Sequence, residues 1–221
     1  MRLKIALPKG YLLPESIGMF NNAGILHSNI DLEERRLIYD SSDDDLSFII
    51  ARPFDVPVYV EYGAVDLGIV GKDVLMEQKS TVYELVDLGY GNCDFVTAQI
   101  RGSADIVKSK YDRLGYLRVA TKYPNVTKEY YDRIGIQVEI IKLYGSVELA
   151  PMLDLAEQIV DITATGRTLK ENNLEIVDRI AGATARLIAN QVSYKLKFRD
   201  LDSVIGRIIE VLPGGQNGKN C

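Results

Sequence analysis

The sequence predicts an α/β protein, and three observations carry that prediction. Strand-like runs at 3–7, 46–51, 66–70, 83–88, 93–100, 116–120, 137–143, 158–163 and 183–188 alternate with stretches of helical pattern, the mark of βα repeats. A weak internal echo is the second: AVDLGIVGKDVL at 64–75 and QIVDITATGRTL at 158–169 share Val-Asp, an apolar strand end, a turn with glycine and a cation, and a following helix. Two similar α/β lobes would produce it, with a ligand cleft between them at the carboxyl ends of strands. The third is capacity, since 221 residues with 47% hydrophobic content suffice for one core or two small ones.

In chain order, the strand-like LKIAL begins at residue 3, directly after Met1-Arg2, with no signal-peptide layout. The stretch 14–23 starts at Pro14, places Ile17 and Phe20 on one face and stops at Gly24. Residues 55–62 form a helix with Asp55 as N-cap, Pro57 in the first turn, Val56 stacked on Val60, and Gly63 as the stop. Near the end, Val204, Ile205, Ile208, Ile209 and Leu212 make an amphipathic face. The closing PGGQNGKNC is polar and glycine-rich, and is expected to be mobile.

Composition narrows the function. A net charge of −5 without a long basic run argues against a general nucleic-acid binder. No stretch approaches the ~20 apolar residues of a membrane span, so the cytoplasm is the expected compartment. Cys93 and Cys221 form neither a disulfide framework nor a zinc pattern and are read as free thiols. The single histidine, His27, has no metal-ligand spacing and is read as structural or exposed.

The most informative stretch is QIVDITATGRTLKENNL at 158–174. A β-branched run ends on Asp161 and passes into Thr163-Ala164-Thr165-Gly166-Arg167-Thr168, then into a helix-forming segment. Such a turn offers several free backbone N–H groups to an anion. Thr165 and Thr168 add hydroxyls, Gly166 permits close approach, and Arg167 offers a planar cation. There is no Walker A pattern and no G-x-G-x-x-G. The alternative is an ordinary strand–turn–helix with a capping threonine. The segment resembles the 5′-phosphate loop of phosphoribosyltransferases, in which a strand-end acid holds ribose hydroxyls. Type I members carry two adjacent acids there, whereas Val160 precedes Asp161 here.

Further segments make the resemblance specific: ALPKGYL at 6–12, EERRLIYD at 33–40, ARPFDVPVYVEYGAVDLGIVGKDVL at 51–75, VATKYPNV at 119–126, and the block from Glu139 to Glu175. Together, in order over nearly the whole chain, they resemble ATP phosphoribosyltransferase, which opens histidine biosynthesis. The chain resembles the short form, which lacks a C-terminal regulatory domain. The resemblance implies a two-lobed type II periplasmic-binding-protein-like fold with a cleft between the lobes. Domain I would comprise 1–90 plus 180–221, and domain II 91–179, carrying the 5′-phosphate loop at 161–169. It also implies a homodimer within a hetero-oligomer, the partner being a regulatory subunit related to histidyl-tRNA synthetase.

The implied reaction joins N1 of ATP to C1 of phosphoribosyl pyrophosphate, with inversion at C1, release of pyrophosphate, and Mg²⁺ as cofactor. Positioning and charge neutralisation should dominate such chemistry. The turn, including Ala164, would take the 5′-phosphate, and Asp161 with Glu148 the ribose. Lys9 and Gly10 would touch nucleotide or pyrophosphate, Arg35 and Arg52 the pyrophosphate and ATP phosphates, and Lys72 and Asp73 the ATP. Lys9, Arg35, Arg52 and Asp161 would be the catalytic set. Tyr11 departs from the arginine of the family's PKGR motif. The bland alternatives are ion pairs of Arg35 with Glu33 or Glu34 and of Arg52 with Asp55, a solvated Lys9, an N-capping Asp73 and a first-turn Glu148. Tyr123, beside Pro124, is one tyrosine that could stack on adenine. Rival functions are a solute-binding or sensing module on the same fold, and a phosphoribosyltransferase acting on a free base.

Overall fold

The computed structural model describes residues 2–26, 36–41 and 45–213. His27, Arg35 and the tail from 214 onward lie outside them. The chain runs β1 (Leu3–Pro8), α1 (Leu13–Asn22), β2 (Ile38–Asp40), β3 (Leu46–Ala51), α2 (Val56–Glu61), β4 (Leu67–Gly71), α3 (Lys72–Gln78), β5 (Tyr83–Asp87), β6 (Cys93–Ile100) and α4 (Ala104–Leu114). It continues with β7 (Leu117–Thr121), α5 (Pro124–Ile134), β8 (Val138–Lys142), α6 (Leu149–Met152), β9 (Gln158–Thr163), α7 (Arg167–Glu171), β10 (Leu174–Ala183), β11 (Ala185–Ala189), α8 (Gln191–Leu196) and α9 (Phe198–Val211). Two compact units result: Met1–Leu75 with Lys79–Gly91 and Thr184–Cys221, and Met76–Gln78 with Asn92–Ala183.

The first unit holds a six-stranded sheet ordered β2-β3-β1-β4-β11-β5, with β3, β1 and β4 parallel and β11 antiparallel to β4. Its strands are apolar because they are buried: Ile5, Leu7, Phe48, Leu67, Ile69 and Leu187 are fully enclosed. On α9 the amphipathic face packs Leu201, Val204, Ile205 and Ile208 inward, while Ile209, expected on that face, is 43% exposed. Asp55 does stand at the N-cap of α2, but its side chain makes no capping bond.

The second unit holds a five-stranded sheet ordered β8-β7-β9-β6-β10. Here β8, β7 and β9 are parallel, β6 is antiparallel to β9, and β10 is antiparallel to β6. Strand for strand, and direction for direction, this repeats β3-β1-β4-β11-β5 of the first unit.

A pair of buried acids fixes the equivalence. Asp66, just before β4, donates its N–H to the Lys4 carbonyl and accepts the Lys4 N–H on Oδ2, both at 2.9 Å. Glu157, just before β9, does the same with the Arg118 carbonyl and N–H, again both at 2.9 Å. Asp66 therefore corresponds to Glu157. The sequence echo, which laid Val65-Asp66 over Val160-Asp161, is out of register, because what repeats is the acid's hydrogen bonding and Asp and Glu both supply it.

Candidate active site

At the carboxyl rim of the second sheet, the two-residue period puts Ile159, Asp161 and Thr163 on one face of β9. Ile159 packs in a core with Leu169, Val147 and Ala150, so the turn after β9 and the loop before α6 share one foundation. Thr121 ties the strand ends together: its Oγ1 donates to the Val160 carbonyl at 2.8 Å and accepts the Tyr123 N–H at 2.9 Å.

Within the turn, Gly166 adopts φ +71°, which costs a glycine little. Its N–H donates to Thr163 Oγ1 at 2.8 Å, and the Arg167 N–H donates to Thr165 Oγ1 at 3.4 Å. Both hydroxyls thus accept from the turn itself and keep their O–H as a donor. Among the described residues, the N–H groups of Ala164, Thr165 and Thr168 donate to no protein acceptor. Since α7 has five residues, barely more than one turn, these donors rather than an extended helix dipole make the cradle. Arg167 is exposed and its Nε lies 2.7 Å from Glu171 Oε1. Asp161 is half-buried, and its Oδ1 accepts the Ile162 N–H at 2.8 Å. Glu148 occupies the N-cap position of α6 rather than its first turn, and caps nothing with its side chain. Tyr123 is buried edge-on against Phe95, with ring centroids 4.9 Å apart, so its ring faces are not open to a base.

At the carboxyl rim of the first sheet, β1 and β3 pair up to Pro8 and Ala51, and the Lys9 N–H donates to the Ala51 carbonyl at 2.7 Å. Lys9 and Arg52 therefore leave adjacent strand ends. Both are exposed, and among the described residues neither side chain has a protein partner. The expected alternative, an Arg52–Asp55 ion pair, is not what forms: the Arg52 carbonyl accepts the Asp55 N–H at 2.9 Å while the guanidinium stays open. Gly10, at φ +106°, turns the chain toward α1, and Tyr11 beside it is 71% exposed.

Lys72 leaves β4 on the same rim, with its N–H on the Thr184 carbonyl at 2.9 Å and its Nζ 2.5 Å from Glu84 Oε2. Asp73 is buried in the first turn of α3 and folds back over Gly71, where an added Cβ would meet its Oδ1 at 2.0 Å. Arg35 falls outside the described residues. Sequence reasoning did not single out Glu84, which holds Lys72, or Arg186, which pairs with Glu84. Their positions on β5 and β11 gain meaning only through the sheet register.

A strand-end acid beside a turn of free N–H groups, and a rim of strand-end cations, both on one repeated α/β plan, suit the class of enzymes that move a phosphoribosyl group. The family model described as ATP phosphoribosyltransferase matches residues 52–212, and the chain belongs to that family. It is 49% identical to the ATP phosphoribosyltransferase of Halothermothrix orenii, over 95% of this chain and 94% of that one. It is 46% identical to that of Caldicellulosiruptor bescii, over 93% and 97%. Among solved structures it resembles a chain of the ATP phosphoribosyl transferase (HisG:HisZ) complex from Thermotoga maritima, with a TM-score of 0.80 and 37% identity, covering 95% of this chain and 98% of that one. The fold is the two-lobed, periplasmic-binding-protein-like fold. The enzyme transfers the phosphoribosyl group of phosphoribosyl pyrophosphate to N1 of ATP and releases pyrophosphate, the first step of histidine biosynthesis.

Proposed function

We propose that the two rims divide the work of this reaction. The turn from Thr163 to Thr168 binds the 5′-phosphate of the ribosyl donor through the N–H groups of Ala164, Thr165 and Thr168 and through the threonine hydroxyls, with Gly166 allowing close approach. Asp161, and Glu148 on the neighbouring loop, hold the ribose hydroxyls and favour the positive charge that grows on C1 as its bond to pyrophosphate breaks. N1 of adenine supplies the new bond to C1 from the opposite face, and the electron pair of the broken bond leaves with pyrophosphate.

Lys9 and Arg52, together with Arg35, take the triphosphate and the departing pyrophosphate, and Gly10, Lys72 and Asp73 complete the nucleotide contacts. Arginine suits this because its fork of donors is planar and permanently charged. The single observation that carries this reading is the turn's three unclaimed N–H groups just beyond the strand that bears the Asp161 carboxylate.

Among the described residues, no group of three His, Cys, Asp or Glu could enclose a metal ion. Magnesium fits this site as an ion carried mainly by substrate phosphates, with Asp161 and Glu148 as the carboxylates available to it. When bound it neutralises charge on the leaving pyrophosphate. We further propose that the chain is a short-form catalytic subunit acting in the cytoplasm, as a homodimer within a hetero-oligomer with a regulatory subunit akin to histidyl-tRNA synthetase. The support is its coverage of 98% of a chain from a two-component complex. Among the described residues, no helix is long and apolar enough to cross a membrane.

Mixing the protein with ATP, phosphoribosyl pyrophosphate and Mg²⁺, with pyrophosphatase to draw the equilibrium, should give the ultraviolet change of N1-alkylated adenine. Rescue of a silent reaction by the regulatory subunit would support the short-form reading. Silence with both subunits, while nucleotide still binds, would count against the reading and favour a sensing module.

A further inference from the structure

Beside Lys72, the first unit carries a chain of charges that no substrate contact requires. Glu84 Oε2 holds Lys72 Nζ at 2.5 Å, and Arg186 Nη1 stands 3.5 Å from Glu84 Oε1. Arg186 Nη2 stands 2.9 Å from Asp87 Oδ2. Asp87 is anchored in turn, accepting the Thr184 hydroxyl at 2.8 Å and the Gly89 N–H at 3.0 Å on Oδ1.

This arrangement depends on an irregularity. Glu84 and Asp87 are three positions apart, and on a regular strand they would face opposite sides. In the pairing of β5 with β11, Val86 opposes Leu187 while Glu84 opposes Ile188, so Leu85 is an extra residue. A bulge of this kind re-aims a side chain, and here it brings Glu84 to the face where Arg186 and Lys72 lie. Lys72 and Glu84 remain about a third exposed, so the pair is open to exchange with a dissolved anion.

We propose that Glu84 is a counterion latch on Lys72. It holds the ammonium at the carboxyl rim in the empty enzyme, and the nucleotide's phosphates take that ammonium over in competition with it. Arg186 steadies the carboxylate, and Asp87 steadies Arg186. The inference rests on the reading of Lys72 as a nucleotide contact. It makes Glu84 a positioning residue that sets how tightly ATP is held.

The test is a double-mutant cycle read by calorimetric titration with ATP. Glu84→Gln should tighten ATP binding about two- to fivefold, the scale of a partly exposed ion pair, and should have no effect in a Lys72→Gln background. Asp87→Asn, which removes the closer partner of Arg186 but acts on Lys72 only as a longer-range charge without an ion-pair contact, should shift ATP affinity less than twofold. Unchanged or weaker ATP binding by Glu84→Gln overturns the latch, as does a change that persists without Lys72 or one that Asp87→Asn reproduces. If Lys72→Gln weakens ATP binding and Glu84→Gln does nothing, the latch fails and the reading of Lys72 stands. If Lys72→Gln leaves ATP binding unaltered, both fail. Should Glu84→Gln not fold, Glu84→Asp, one methylene shorter, carries the same cycle with a smaller tightening expected.

Discussion

The two units share a sheet plan and a buried acid at the same strand start, yet their carboxyl rims present different groups. The first presents side-chain charge: Lys9, Arg52 and Lys72 leave the carboxyl ends of β1, β3 and β4. The second presents backbone: in the turn after β9 the threonine hydroxyls accept the N–H groups of Gly166 and Arg167, and those of Ala164, Thr165 and Thr168 donate to no protein acceptor among the described residues. Side-chain cations on flexible stems tolerate a long, variable polyphosphate but are screened by salt. Backbone donors are rigid and neutral, so they select one small anion by geometry. The proposed placement of a triphosphate on one rim and a monophosphate on the other would match that division.

The largest effect should come from the acid beside the backbone cradle. Asp161→Asn keeps the side chain's size and removes its charge, and turnover should fall by about 10²–10³, the range seen when one transition-state electrostatic contact is lost. Binding of phosphoribosyl pyrophosphate, measured by titration, should survive within roughly tenfold, because the turn's donors remain. Turnover equal to wild type would remove Asp161 from the mechanism.

Next in size is a stability effect that separates the two equivalent acids. For Glu157, burial alone would raise the pKa. Hydrogen bonds from the Arg118 side chain and N–H and from Lys110 outweigh it and hold the carboxyl at about 2. Asp66 is also lowered, against burial, chiefly by its hydrogen bond from Lys197 and by the Lys4 N–H. The folded pKa of Glu157 lies below its unfolded value of 4.5, so the unfolded chain takes up the proton first. Its contribution is whole above pH 4.5 and is lost as pH falls toward about 2. Glu157→Gln should cost about 3 kcal/mol at neutral pH and flatten the acid limb of a denaturation series. An unchanged acid limb would contradict this.

Kinetics under salt sharpen the contrast between the rims. Arg52→Gln should raise KM for ATP about tenfold, and that ratio should shrink at high salt as the wild-type advantage is screened. Gly166→Ala meets no neighbour within 4 Å, so only the backbone strain of φ +71° acts, worth ~1 kcal/mol. KM for phosphoribosyl pyrophosphate should rise roughly fivefold, by a ratio that salt does not change. A salt-sensitive Gly166→Ala beside a salt-insensitive Arg52→Gln would reverse the assignment of charge to one rim and backbone to the other.

How far each rim could be read from the sequence follows from how local it is. The turn after β9 is one contiguous segment, and its donors, hydroxyls and glycine were legible as a string. The cationic rim is not contiguous: positions 9 and 52 become neighbours through the β1–β3 register, which a single sequence does not display. Glu84 was hidden twice, by distance along the chain and by the bulge at Leu85. The nine strand-like runs all fall on strands, but two strands among the described residues were missed. Ile38–Asp40 is three residues long, and Leu174–Ala183 carries Asp178 and Arg179, is largely exposed, and has two register shifts against β6, so it lacks the alternation that reveals a strand.

The smallest expected effect tests whether the second rim is a backbone site at all. Arg167 is the one cation inside the turn, and its sequence position suggests a phosphate contact. In the structure its guanidinium lies in an exposed i,i+4 pair with Glu171, an interaction worth ~0.3–0.5 kcal/mol that a phosphate could readily displace. If the N–H groups of Ala164, Thr165 and Thr168 bear the load, Arg167→Ala should raise KM for phosphoribosyl pyrophosphate by no more than about twofold, with stability unchanged within ~0.5 kcal/mol. A tenfold rise that fades with salt would mean that the guanidinium leaves Glu171 for the 5′-phosphate, and that both rims depend on side-chain charge.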